Sequence, residues 1–426
     1  MKSFGVKPRI RYRRTTMRLG RSPLFSLIFA VAIGVANAGR AAESGMTRPQ
    51  AYAHAAALAA LGRALFFDPA LSGSGQMACA SCHDPQHAFG PPNSLDVQVG
   101  GKDLKQPGLR AAPALTYLQA APPFAEHYYE SDDEGDASID NGPTGGLTWD
   151  GRADRGRDQA RFPLLSPYEM ANDDEAAVAA KVRRASYAGD LIKIFGERAV
   201  DNDAATFAAV VEALETFEQS EKDFYPYSSK YDAYLAGRAK LTPQEARGLA
   251  LFEDPAKGNC GNCHRSEPGD DGTPPQFTDY GFIALGLPRN RNIPANADPN
   301  YFDLGACGPL RTDLNRHPEY CGLFRAPSLR NVALRKTFYH NGAEHDLRKA
   351  IEFYVERDTR PEKWYPRGAD GKVAKFDDLP ERYRENINME PPFGGKPGDA
   401  PALSPAEIDD IVAFLNTLTD GYKPTP

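Results

Sequence analysis

The chain has 426 residues, 41% apolar and 10% aromatic, which excludes a disordered polymer and allows about two to three packed domains. Its 38 glycines and 36 prolines predict long loops, without the periodicity of collagen or a coiled coil, and a formal charge of −7 argues against nucleic acid as a partner. Six cysteines are too few for a disulfide scaffold of this length and eight histidines are sparse, so their placement carries the information.

Residues 1–38 hold eight basic residues and no acidic one; an apolar run from Leu24 to Val35 is followed by Ala36-Asn37-Ala38. This order predicts a cleaved secretory signal peptide, because the run is shorter than the ~20 residues that span a bilayer. Its removal would leave 42 basic against 57 acidic residues. No other run is long enough to cross a membrane, so no span is expected after cleavage. Export implies an oxidising compartment, where cysteines are paired, ligated or modified.

Past the signal, one module occurs twice. Gly62-Arg63-Ala64-Leu65-Phe66-Phe67-Asp68-Pro69 precedes Cys79-Ala80-Ser81-Cys82-His83, and Gly248-Leu249-Ala250-Leu251-Phe252-Glu253-Asp254-Pro255 precedes Cys260-Gly261-Asn262-Cys263-His264. Each copy opens with a helical pattern that its Asp-Pro pair stops. In the second copy Thr242, Pro243 and Glu245 predict a capping box. Residues 129–147 read as an acidic surface loop, Ala204–Glu218 as an amphipathic helix, and Phe224–Gly237 as a linker with embedded aromatics. The stretch 266–303 has no period. Asp346–Arg357 reads as a helix with Leu347, Ile351 and Tyr354 on its inner face, at i, i+4 and i+7. Ser404-Pro405-Ala406-Glu407 predicts the start of a last helix reaching about Leu418.

C-x-x-C-H is the attachment signature of a c-type haem: two thiols form thioethers and the histidine is set beside the iron. A thioredoxin-like pair explains neither the histidines nor the duplication, and a four-cysteine zinc site would need pairs about 180 residues apart, each carrying its own histidine. The sequence therefore predicts a mostly α fold of two c-type cytochrome-like haem domains in tandem, 45–225 and 226–420, with long loops and few short strands. Cys307 and Cys321 remain, and a disulfide between them is the expected use; closing that loop stabilises by roughly 3 kcal/mol.

Further segments carry a family resemblance. Trp149-Asp150-Gly151-Arg152-Ala153, Gln159-Ala160, Pro163-Leu164, Pro167, Glu169-Met170, Pro327-Ser328-Leu329-Arg330-Asn331-Val332-Ala333 and His340-Asn341-Gly342 resemble the bacterial di-haem cytochrome c peroxidase/MauG family, from about Gly62 to Leu418. The resemblance implies a periplasmic oxidoreductase with two covalent haem c groups. It implies that His83 is the proximal ligand of a peroxide-reactive haem, with Gln159 and Glu169 as its distal polar pair and Trp149 as an electron relay between the haems. His264 would be proximal at a six-coordinate second haem. Fourteen residues after His340 the family's peroxidases place a methionine ligand; here that position is Tyr354, as in the MauG branch. Met389 is the rival ligand. The family often binds Ca²⁺ between the haems through an Asn side chain and two carbonyls. The carbonyl positions correspond to Arg335 and Thr337, but the Asn position is Ala111, which leaves Ca²⁺ an open expectation. His87, His127, His317 and His345 match no role and are expected to be surface or structural.

A narrower resemblance, through Gly305-Ala306-Cys307-Gly308-Pro309-Leu310-Arg311-Thr312-Asp313, Cys321-Gly322 and Arg357-Asp358-Thr359-Arg360-Pro361-Glu362-Lys363-Trp364-Tyr365-Pro366, is to the MbnH-type subgroup. It implies that H₂O₂ generates a high-valent di-haem state that oxidises a tryptophan on a partner protein, MbnP. The alternative is a di-haem cytochrome c peroxidase that reduces H₂O₂ with electrons from a small cytochrome or cupredoxin; a third is an electron carrier without catalysis.

Overall fold

Helix formation follows the capping chemistry of the chain. The computed structural model describes residues 46–129, 140–269 and 272–424. The expected signal peptide at 1–38 lies outside the described residues, as does 130–139 of the expected acidic loop. The helices among the described residues are α1 (Arg48–Phe66), α2 (Gly156–Leu165), α3 (Glu175–Val182), α4 (Ala188–Phe195), α5 (Asp203–Glu218), α6 (Glu221–Phe224), α7 (Lys230–Leu235), α8 (Pro243–Glu253), α9 (Leu347–Glu356), α10 (Pro361–Trp364) and α11 (Pro405–Asn416). Strands are confined to two antiparallel pairs, β1 (Val99–Gly100) with β2 (Gln106–Pro107) and β3 (Phe282–Ile283) with β4 (Phe324–Arg325). The fold is therefore mostly α, as expected. Among the described residues, no helix is long and apolar enough to cross a membrane.

The caps behave as read. Thr242 and Glu245 close a capping box on α8, Ser404 and Glu407 close one on α11, and Asp254 ends α8 in extended conformation. The stretch 224–237 departs from the linker expectation. Ser229 caps α7 through a box with Asp232, and the buried Arg330 guanidinium grips the same carboxylate at 2.9 and 3.1 Å. A charge pair this deep holds the segment in place, because losing one partner would strand a buried charge.

Residues 47–426 form one compact unit with two main cores. One runs from Leu58 to Phe224 and is built on α1 crossed by α5. The other runs from Tyr231 to Leu418 and is built on α8 crossed by α11. Both crossings depend on a glycine of the repeated motif. A Cβ at Gly62 would stand 1.9 Å from the Ala213 carbonyl oxygen, and one at Gly248 2.0 Å from that of Asp410. The phenylalanine four residues on then packs edge-to-face on the crossing helix, Phe66 on Phe217 at 5.4 Å and Phe252 on Phe414 at 5.2 Å.

Candidate functional site

The repeated crossings present the two C-x-x-C-H segments in the same way. Each begins as a 3₁₀ turn, Cys79–Ser81 and Cys260–Asn262, and the histidine amide closes the turn onto the first cysteine carbonyl, at 3.0 Å for His83 and 2.8 Å for His264. Each imidazole Nδ1 lies against a core phenylalanine carbonyl, His83 on Phe89 at 3.0 Å and His264 on Phe277 at 2.9 Å. A carbonyl can only accept, so Nδ1 carries the proton and Nε2 keeps its lone pair for a metal. Burial pushes His83 down to about 4 and lowers His264 as well, so both rings are neutral at pH 7. The four cysteines are not joined to one another, and burial pushes each thiol up to about 12. That environment opposes the thiolate that a low-pKa redox pair needs. It fits thiols consumed as thioethers, with each His Nε2 presented to iron.

What faces the two turns differs. Near the first lies Glu169, on the turn after α2. Its charge is among the influences that raise Cys79 and Cys82. Glu169 is exposed by accessible surface, although protein atoms crowd around its carboxyl. Burial holds its carboxyl above the usual range, although Ser166 and Arg152 pull the other way. The backbone here is clamped by β1. Gly101 N–H donates to the Glu169 carbonyl at 2.9 Å, and a Cβ at Gly100 would meet the Tyr168 oxygen at 2.3 Å. Gln159 sits half-buried on α2, ten residues earlier, and its helix leads into the Glu169 turn. Glu218, which the sequence reading passed over, is also near Cys79, and burial pushes its carboxyl up to about 8.

The second turn opens onto a cavity of about 240 Å³. Cys260, Cys263 and His264 line it together with Leu347, Ile351 and Tyr354, the face of α9 read as inward. The Tyr354 ring lies against Phe393 at 5.4 Å. Burial holds its phenol well above the usual range, so the phenolate needs a nearby cation to form. Met389 does not line the cavity. It is exposed, and its Sδ accepts a 3.3 Å hydrogen bond from Arg357.

Trp149 also lines this cavity. Its Nε1 donates to the Ala111 carbonyl at 2.8 Å, and its ring meets His340 edge-on at 6.5 Å. His340 stacks on Phe324 at 3.4 Å with Nε2 buried and unpartnered, and burial pushes it down to about 3. Arg110 anchors this region by joining Asp150 at 2.7 Å and Asp303 at 2.6 Å. Burial opposes the Asp150 charge, but Arg110 and Arg152 outweigh it and bring the carboxyl to about 2. These partners are up to 193 residues apart, which no local pattern announces.

Cys307 and Cys321 are disulfide-bonded. His87, His127, His317 and His345 each pair with a nearby carboxylate on partly exposed surface. The positions matched to calcium ligands have other partners or lack an oxygen. Ala111 offers no side-chain oxygen, and the Thr337 carbonyl accepts a 3.2 Å hydrogen bond from Arg335 Nε.

Duplicated haem-attachment turns on one mostly helical unit define a di-haem c-type protein. The family model described as di-haem cytochrome c peroxidase matches residues 56–240. The methylamine utilization protein MauG of Paracoccus denitrificans (strain Pd 1222) is 36% identical over 384 residues, covering 86% of this chain and 90% of that protein. The crystal structure of the diheme peroxidase BthA from Burkholderia thailandensis E264 is similar with a TM-score of 0.74 and 41% identity, covering 85% of this chain and 86% of that one. A MauG-like protein associated with microbial copper homeostasis has a TM-score of 0.59 and 27% identity, covering 85% and 89%. The chain belongs to the di-haem cytochrome c peroxidase/MauG family and is an oxidoreductase of the di-haem peroxidase type. Membership implies two haem c groups, for which the two turns are suited.

Proposed function

We propose that this is a periplasmic enzyme of MauG/MbnH type, which uses H₂O₂ to oxidise a tryptophan side chain of an MbnP-like partner protein. Its haem domains are 45–225 and 226–420, held through Cys79, Cys82 and His83 in the first and Cys260, Cys263, His264 and Tyr354 in the second. The observation that carries this reading is that Tyr354 and His264 line one cavity, while the Met389 sulfur is bonded to Arg357. When bound, the haem groups supply the iron redox chemistry.

The side chains supply the rest. Glu169 would take a proton from H₂O₂ at its carboxylate and return it to the oxygen that leaves as water, with the two electrons and the acceptor for the other oxygen coming from the bound haem. The elevated proton affinity of Glu169 suits both halves of that transfer. Gln159 orients the peroxide. The Ala111 carbonyl fixes the Trp149 indole, which relays electrons between the two halves. Tyr354 would hold the second haem through an anionic oxygen, which would favour its ferric state.

The near-infrared spectrum and the stoichiometry of the peroxide reaction test this. The ferric enzyme should show one high-spin and one low-spin haem without the Met–His charge-transfer band, and should react with H₂O₂ by two equivalents without prior reduction. Tyr354→Phe should retain both covalent haems and lose partner oxidation. A Met–His band, or a need for pre-reduction, would replace this reading with the cytochrome c peroxidase one.

A further inference from the structure

Between the two halves, at the positions that the family resemblance matches to a Ca²⁺ site, the structure contains an arginine side chain. Arg335 follows the 3₁₀ turn Val332–Leu334. Its Nε donates to the Thr337 carbonyl and one terminal nitrogen donates to the Ala112 carbonyl, both at 3.2 Å. Those oxygens come from opposite halves of the chain. The neighbouring side chains extend the clamp: Lys336 Nζ donates to the Pro92 carbonyl at 3.2 Å, and Thr337 Oγ1 to the Leu95 carbonyl at 3.1 Å. The Thr337 carbonyl, one of the two matched to the calcium site, therefore faces an N–H donor instead of a hard cation. The third oxygen is missing as well, since residue 111 is alanine and its carbonyl accepts the Trp149 indole N–H.

We propose that the Arg335 guanidinium is a built-in cation that replaces Ca²⁺ between the two haem-attachment turns, so that the enzyme is calcium-independent. Arg335 is thus a positioning residue for both centres. Among the described residues no carboxylate pairs with it. A guanidinium stays protonated in proteins, so the side chain is cationic at neutral pH. The side chain reaches both halves: a terminal nitrogen donates to the Ala112 carbonyl, and the residue lines the cavity that holds His264 and Tyr354. A guanidinium makes two directed hydrogen bonds where a Ca²⁺ ion would need six to eight oxygens. It also cannot dissociate, so the junction does not depend on the calcium supply.

The inference rests on the two-haem reading above but not on the identity of the second axial ligand. The test uses the purified holoenzyme with both haems attached. Elemental analysis after dialysis should find no stoichiometric calcium, and EGTA should leave the absorption spectrum and both midpoint potentials unchanged. Arg335→Gln should shift both midpoint potentials downward, since removing a positive charge disfavours electron uptake, and Arg335→Lys should restore them in part. Stoichiometric calcium whose removal by EGTA changes the spectrum overturns the proposal, as do unchanged potentials in Arg335→Gln. Where Arg335→Gln fails to fold, the calcium content and EGTA response of the wild type decide the question. A Met–His band would remove the MauG-type reading and leave this result standing.

Discussion

The two halves of this protein use the same scaffold for different chemistry. In each, a glycine lets one helix cross another, a phenylalanine one turn on packs beneath, and a second phenylalanine carbonyl orients the haem-attachment histidine. They diverge in what the fold brings near each cysteine turn. The first half brings a carboxyl with raised proton affinity, Glu169, on a turn clamped by a glycine pair. The second brings a phenol, Tyr354, from the inner face of α9. In the proposed function the first half meets peroxide and the second stores oxidising equivalents. The difference therefore lies in what each half adds around a shared frame, with the histidine geometry held constant.

The largest expected break in this comparison is chemical. Glu169→Gln keeps the shape and removes the proton acceptor, so the stopped-flow reaction with H₂O₂ should slow by about 10²–10⁴-fold with both haems retained. The corresponding pH profile has a definite sign. The carboxyl must be ionised to accept a proton, and burial raises its pKa, so the rate should fall on acidification through a value above the ordinary Glu value of about 4.3. A rate limb at or below that value would remove the raised proton affinity from the account. Gly100→Ala should act on the same half more mildly: its Cβ would strike the Tyr168 carbonyl and displace the Glu169 turn, lowering the peroxide rate while leaving the Tyr354-side spectrum unchanged.

The shared frame itself gives the next effect. Gly62→Ala and Gly248→Ala each drive a methyl group into a backbone carbonyl of the crossing helix. Each should destabilise its own half by about 1–3 kcal/mol, read from urea unfolding followed at that half's haem absorbance. Equal losses would support the equivalence of the two crossings, and a loss in only one would end it. The smallest effect belongs to the caps. Thr242→Ala and Ser404→Ala each remove a hydroxyl acceptor from a first-turn amide and should cost about 1 kcal/mol, without changing either haem spectrum.

Local chemistry made much of this legible in one dimension. The capping boxes at Thr242 and Ser404 satisfy amides within three residues, so the starts of α8 and α11 could be read directly. The i, i+4, i+7 spacing set Leu347, Ile351 and Tyr354 on one face, and the fold turned that face to the cavity. The duplicated cysteine turns were equally plain, because thioether attachment requires that spacing. The segment 224–237 was misread as a linker because its order comes from Arg330, 98 residues away from Asp232. The Arg110–Asp303 pair, the His340 stack on Phe324 and the reach of Arg335 to Ala112 left no periodic trace either. Each depends on which distant carbonyl or ring is brought within a few ångströms, and chain folding sets that distance while residue spacing does not. The residue types at 111 and 335 could raise doubt about calcium. Only the folded backbone, by bringing the Thr337 and Ala112 oxygens to one guanidinium, supplies a reason for that doubt.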